Sequence, residues 1–428
     1  MNKPIAGKRW YRLIPVAFIT YSLAYLDRSN FSLGVTGGMT QDLNLSAATS
    51  SLLGSLFFLG YFFFQIPGTH YAANKSAKKL IFWSLIAWGA MATATGLMSK
   101  IGWLMAIRFM LGVAESAILP SMLVLLSRWF TREERSRTNT FLMLGNPVTV
   151  LWMSIVSGYL VRAVGWRGMF ILEGAPAVIW AFCWVLLVND HPEDAKWLSD
   201  DEKQELDNHL RKEQEAFRPV KNYAAAFKTP AVLLLCAQYA LWSICVYGLV
   251  LWLPSIIHSA PQMDIVTTGW LSAVPYLFAI IAMVCLSYFS DRSLRRKIFI
   301  WPSLLVGAIA FYASYALGPA NFWLSFALLT VAGAAMYAPY GPFFAMLIEM
   351  LPANVAPGAI ALINSFGALG AFGGSWLVGY LNGTTGGYGA SYIFMAGSLF
   401  LASVLTIFAV KDSSRTATRA NLQKMQTP

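Results

Sequence analysis

Twelve stretches of this sequence are each long and apolar enough to cross a lipid bilayer, and that feature leaves few folds open. They run at about 11–35, 50–72, 79–98, 101–127, 139–162, 168–188, 230–257, 268–290, 298–317, 322–348, 355–382 and 388–410. A helix rises about 1.5 Å per residue, so about 20 apolar residues cover a hydrocarbon layer of about 30 Å. Within that layer each backbone N–H and C=O must be satisfied inside its own segment, which predicts helices. The expected fold class is an all-α membrane protein of twelve transmembrane helices. Charged residues are only 12% of the chain, against about 25% in soluble domains, so a single soluble core is excluded.

A polar segment divides the spans six and six. The expected organisation is a first six-helix bundle over 1–190, a linker over 191–228, and a second bundle with a short tail over 229–428. In the linker, Leu198, Leu206 and Leu210 predict an amphipathic helix that begins at Ser199 with acids in its first turn. It is expected to be a solvated connector.

A net charge of +11 suggests an acidic partner until its distribution is read. On the side that holds the N-terminus lie 26 of the 31 lysines and arginines, and only Lys100, Arg162 and Arg167 lie opposite. That asymmetry predicts both termini in the cytoplasm and a lipid bilayer, not nucleic acid, as the large partner. The basic start runs into a span-length apolar stretch without a small-residue cleavage pattern, so it reads as an uncleaved first helix. Cys183, Cys236, Cys245 and Cys285 all fall in apolar runs, where packing is their expected role. Four histidines and four cysteines form no nucleophile–base set and no metal constellation. Neither an enzyme nor a cofactor or metal is expected.

The remaining two basic residues, Arg28 and Arg108, are inside spans. Asp27 lies beside Arg28, roughly 21 Å along the first span, where a charge costs at least about 2.5–3.5 kcal/mol and is rare outside a protein-lined cavity. Arg108 and Glu115 are seven residues apart, within about 20° of one helix face and about 10.5 Å along the axis. Guanidinium suits a carboxylate ligand, because it stays charged and can bind two oxygens at once. Carboxyls beside it suit proton exchange. Static ion pairs that hold helices together are the alternative role.

The two halves echo each other. Leu119-Pro120 and Gly341-Pro342 each precede a turn, Gly145-Asn146 and Ile363-Asn364 each open the following span, and Gly-Tyr-Leu recurs at 158–160 and 379–381. Their shared order suggests two pseudo-symmetric bundles.

Several segments together resemble the major facilitator superfamily and, within it, the anion:cation symporter family of sugar-acid carriers. They are Tyr25-Leu26-Asp27-Arg28-Ser29-Asn30, Tyr61 with Gln65-Ile66-Pro67-Gly68, Arg108-Phe109-Met110-Leu111-Gly112-Val113-Ala114-Glu115, Trp129-Phe130 with Glu134-Arg135, and Ser290-Asp291-Arg292. One stretch departs from the superfamily pattern. Gly68 to Ser76 lacks the expected acid and arginine after the second span, which puts a salt-bridge gate there in doubt. The resemblance implies alternating access in a bacterial inner membrane by a monomer, with the fourth span facing the first. It implies proton-coupled uptake of a small organic anion, most of all a sugar acid such as a galactonate-like aldonate or uronate. Arg28, Tyr61, Arg108, Asn146 and Asn364 would contact the substrate, and Asp27 and Glu115 would carry protons. Gln238 and Tyr247, polar or aromatic positions in the seventh span, are further substrate candidates. An aromatic carboxylate and, more remotely, export of drugs are the alternative activities.

Overall fold

The first predicted span folds as α1 (Lys8–Gly34) and ends in one π-helical turn, Val35–Met39, where Gly38 takes φ 119°, a conformation open to glycine. The structure, a computed structural model, describes residues 7–215, 230–260, 263–293, 295–318, 321–350 and 356–409. Some side chains inside these ranges, those of Asp27, Arg28 and Ser29 among them, are outside the description.

The chain continues as α2 (Ala47–Asn74), α3 (Ala77–Leu97), α4 (Ile101–Ser116), α5 (Ile118–Trp129) and α6 (Arg132–Leu187). Serine hydroxyls start two of these helices: Thr49 N–H donates to Ser46 Oγ at 3.1 Å, and Lys79 N–H to Ser76 Oγ at 3.0 Å. The fourth span is interrupted at Ala117 because Pro120 has no N–H to return to the Ser116 carbonyl. The 56-residue α6 holds the fifth and sixth spans, joined where Gly165 leaves helical geometry at φ 71°. After the linker helix α7 (Asp200–Glu215) come α8 (Pro230–His258), α9 (Ile265–Ser293), α10 (Arg296–Leu317), α11 (Phe322–Tyr337), α12 (Tyr340–Met350), α13 (Ala356–Thr385) and α14 (Gly389–Ala409). Pro342 breaks the tenth span at Ala338 as Pro120 breaks the fourth, so the echo between halves extends to a shared helix interruption.

Among the described residues nine helical stretches are long and apolar enough to cross a membrane, and one of them, Phe141–Leu187, is long enough to cross twice. With α1 and the 30-residue α13 they make the expected twelve crossings.

The linker departs from its expected character. Its helix begins after Ser199, which exchanges capping hydrogen bonds with Glu202 at 2.9 and 3.3 Å. Its first half is docked rather than solvated. Ala195, Leu198 and Leu206 are buried, Trp197 stacks on Trp129 with centroids 5.4 Å apart, and Arg12 lies over the Trp197 ring. Apolar surface at one end of the first bundle accounts for the docking, since leaving these side chains in water would cost about 1.5–3 kcal/mol each.

The same end carries a buried ion pair. Arg9 is 1% exposed and holds Glu134 Oε1 at 3.0 Å, while Trp10 Nε1 and the Thr131 N–H donate to the same carboxylate. Burial would push the Glu134 carboxyl up, but the Thr131 N–H and the Arg9 guanidinium together outweigh it and hold it below its usual value. At the loop where the resemblance implies an acid and none is present, Asp190 accepts from the Ser76 hydroxyl and the Lys78 N–H and pairs with Arg128 at 3.6 Å. An acid from the end of the sixth span thus holds this loop within the first half.

Candidate functional site

The site is built on a close crossing of α2 and α4. A Cβ on Gly60 or on Gly112 would collide with the carbonyl of Phe109 or of Phe57 respectively, so these helices touch through backbone. The buried face of α4 presents Leu104, Arg108, Leu111, Gly112 and Glu115 at helical spacing, which puts Arg108 and Glu115 on one wall. Both are 2% exposed.

Arg108 donates from Nε to the Leu53 carbonyl at 3.4 Å, and its guanidinium carbon lies 4.4 Å from the centre of the Phe31 ring and 5.7 Å from that of Phe57. Two aromatic faces and one carbonyl contribute to stabilising the cation. The residue lines a narrow cleft shared by the two halves. Phe31, Phe57 and Phe58 come from the first half, and Tyr247, Leu251 and Ser375 from the second.

The halves meet on both sides of the cleft. Toward the π turn, Thr36 donates to the Ser32 carbonyl at 2.9 Å and so accepts from the Ser255 hydroxyl, also 2.9 Å away. Trp252 Nε1 donates to Ser51 Oγ at 3.1 Å, where Gly379 packs against Ser51 too closely for any side chain. On the other side Ser365 donates to Gln65 Oε1 at 3.1 Å, and the Tyr25 and Tyr247 hydroxyls stand 3.5 Å apart. A solute at Arg108 would be enclosed from both ends.

Of the residues proposed from sequence, Arg108 and Tyr247 share this cleft, and Glu115 continues the Arg108 face. Tyr61 is buried one turn beyond Phe57. Asn146, Gln238 and Asn364 are not part of the cleft lining. Asp27 and Arg28 are helical in backbone, and their side chains are outside the described residues. Sequence reasoning missed Phe31, Phe57, Phe58 and Ser375; a pair of adjacent phenylalanines one turn before Tyr61 was the available signal.

Gln238 is fully buried, and neither its Oε1 nor its Nε2 meets a partner among the described residues. An unsatisfied buried amide costs about 1–3 kcal/mol, a cost evolution keeps where a ligand can satisfy the group. Gln238→Met is therefore expected to stabilise the purified protein by about 1–2 kcal/mol while slowing transport. Denaturation and uptake assays on one preparation check this, and a less stable variant with normal uptake would contradict it.

The Major Facilitator Superfamily profile matches residues 17–263 and 256–426. A putative tartrate transporter of Agrobacterium vitis is 29% identical over 96% of this chain and 92% of its own length. A quinolone resistance transporter of Acinetobacter baumannii is 30% identical over 97% of each. Among solved structures, a D-xylose-proton symporter superposes with a TM-score of 0.75 at 15% identity, over 94% of this chain and 98% of that one. An inward-facing bacterial homologue of the lysosomal transporter Spinster does so with 0.71 at 17% identity, over 94% and 96%. A twelve-helix fold with a largely apolar cleft holding one arginine between its halves, matched by one family along nearly its whole length, leads to one assignment: the chain belongs to the Major Facilitator Superfamily, as a multi-pass membrane transporter and not an enzyme.

Proposed function

We propose that the protein takes up an organic anion together with protons, most of all a hydroxylated sugar acid of the aldonate or uronate class. The observation that carries this reading is the Arg108 guanidinium, 2% exposed and facing a cleft between the two halves. A fixed cation there selects for negative charge, and the Tyr247 and Ser375 hydroxyls beside it can hydrogen-bond a polyol. Arg28 and Arg108 bind the carboxylate; Asp27 and Glu115 carry protons. In the state open to the outside the two acids are protonated and the arginines are free for substrate. The neutralised site then closes, reopens to the cytoplasm, and proton loss returns the arginines to internal pairs and releases the solute. Tyr61, Asn146, Gln238, Tyr247 and Asn364 serve the hydroxyls.

The named relatives support an acid as cargo, since two are putative tartrate transporters. The aromatic lining of Phe31, Phe57, Phe58 and Tyr247 favours a second reading, an aromatic carboxylate. Thermal melting of the purified protein with galactonate, tartrate, benzoate and galactose separates the two. Galactonate or tartrate is expected to raise the melting temperature and neutral galactose is not, because only a ligand of the native state stabilises it. A shift with benzoate alone would replace the sugar acid by the aromatic one, and an equal shift with galactose would remove the arginine's role.

A further inference from the structure

Glu173 is an acid placed well inside α6 and only 4% exposed. Both of its oxygens accept hydrogen bonds. The Asn30 amide of α1 donates to Oε2 at 2.7 Å, and the Ser157 hydroxyl donates to Oε1 at 2.6 Å. Asn30 and Ser157 are themselves fully buried. The carboxyl therefore ties together the first, fifth and sixth spans. Packing alone does not call for it, since a leucine would fill the space without burying a charge.

What the tie restrains is rotation. A hydrogen bond tolerates about 0.5 Å of stretch before it weakens. Asn30 acts at a radius of about 5–6 Å from the helix axis, so this tolerance allows α1 to turn by only about 5°. Asn30 follows Asp27 by three residues, about 60° away on the helix and one turn along it. A binding constellation works when its groups are held to about 10–20°. The clamp is tighter than that limit.

We propose that Glu173 is a positioning residue, a carboxylate clamp on Asn30 that sets the rotational register of α1 and so the direction in which Asp27 and Arg28 are presented. This rests on the reading of those two residues as transport groups. A carboxylate fits because it offers an acceptor to each of two donors. Glutamine can keep the arrangement, since its carbonyl still accepts from Asn30 and its amide can donate to a turned Ser157 hydroxyl. Alanine cannot.

The test uses full-length protein with Cys183, Cys236, Cys245 and Cys285 replaced, carrying single cysteines at positions 22 to 33 other than 27, 28 and 30, reacted with a water-soluble maleimide in membranes. In Glu173→Ala, labelling rates are expected to rise at least threefold on one side of α1 and fall at least threefold on the other. Glu173→Gln is expected to keep the original pattern, and Asn30→Ala, which leaves the acid in place, to reproduce the alanine pattern. Galactonate and tartrate affinities, measured by melting shift, should weaken about tenfold in Glu173→Ala and stay within about threefold in Glu173→Gln. Rates that are unchanged, or that rise together on all sides of α1, overturn the clamp. A rotated pattern in a protein whose galactonate and tartrate affinities do not depend on Glu173 or Arg28 keeps the clamp and overturns the transport role given to α1.

Discussion

Arg108→Gln is expected to lower the initial rate of anion uptake in proteoliposomes by about 30-fold or more, with the protein still purifying as a folded, monodisperse species. Truncating one partner of a desolvated charge pair costs about 2–5 kcal/mol, and each 1.4 kcal/mol is about tenfold. Glutamine keeps enough reach to donate to the Leu53 carbonyl that Arg108 now uses at 3.4 Å. What it lacks is the charge that faces the cleft and the cation over the Phe31 and Phe57 rings. Losing those ring contacts costs about 0.5–2 kcal/mol, but the variant no longer buries an ion, so its net stability stays close to that of the parent. Arg108→Lys should fall between the two, because a point charge attracts a carboxylate without gripping both oxygens. Uptake by Arg108→Gln within threefold of the parent would remove Arg108 from the substrate site. Loss of the folded species would show that its place is structural, with Leu53, Phe31 and Phe57 as what it holds together.

The helices were legible because each span advertises itself locally. Apolar length marked the crossings, and the seven-residue spacing of Arg108 and Glu115 put both on the buried face of α4; the breaks at Pro120 and Pro342, read from sequence only as preceding turns, emerged with the structure. The linker was half legible. The Leu198 and Leu206 pattern located its helix, but the stacking of Trp197 on Trp129 joins residues with no local relation, and the expectation of a solvated connector failed on that contact. Contacts between halves leave even less trace. Gln65 and Ser365 are 300 residues apart, and no pattern within either helix says that one accepts from the other. Glu173 shows the same limit. The acid sits near one end of the sixth apolar run, and nothing local names Asn30, 143 residues earlier, as its partner. The cleft's aromatic walls were missed for a related reason. Phenylalanine in a span is most often turned to lipid or core, and only the crossing of α2 over α4 decides that Phe57 faces a cation.

Glu115→Gln is expected to abolish acid-driven accumulation while substrate exchange continues. Glu115 is 2% exposed, and directly after it the fourth span is interrupted at Ala117, so the carboxyl sits beside a break in the helix. Glutamine imitates the protonated acid in size and polarity but can neither take up nor release a proton. A carrier that moves one anion with one proton draws about 1.36 kcal/mol from each unit of pH difference, so the parent should concentrate its substrate about tenfold across a one-unit gradient, acid outside. With one net proton moved per cycle and Glu115 as the acid that takes it up and releases it, the ratio in Glu115→Gln should fall to about one in that assay. Counterflow, in which labelled substrate enters against unlabelled substrate already inside, needs the carrier only to reorient with cargo bound and should persist. Glu115→Asp restores a titratable group one carbon shorter and should recover part of the accumulation. If Glu115→Gln still reaches the tenfold ratio, Glu115 does not carry the coupling proton. Asp27→Asn in the same assay then shows whether that role belongs to α1.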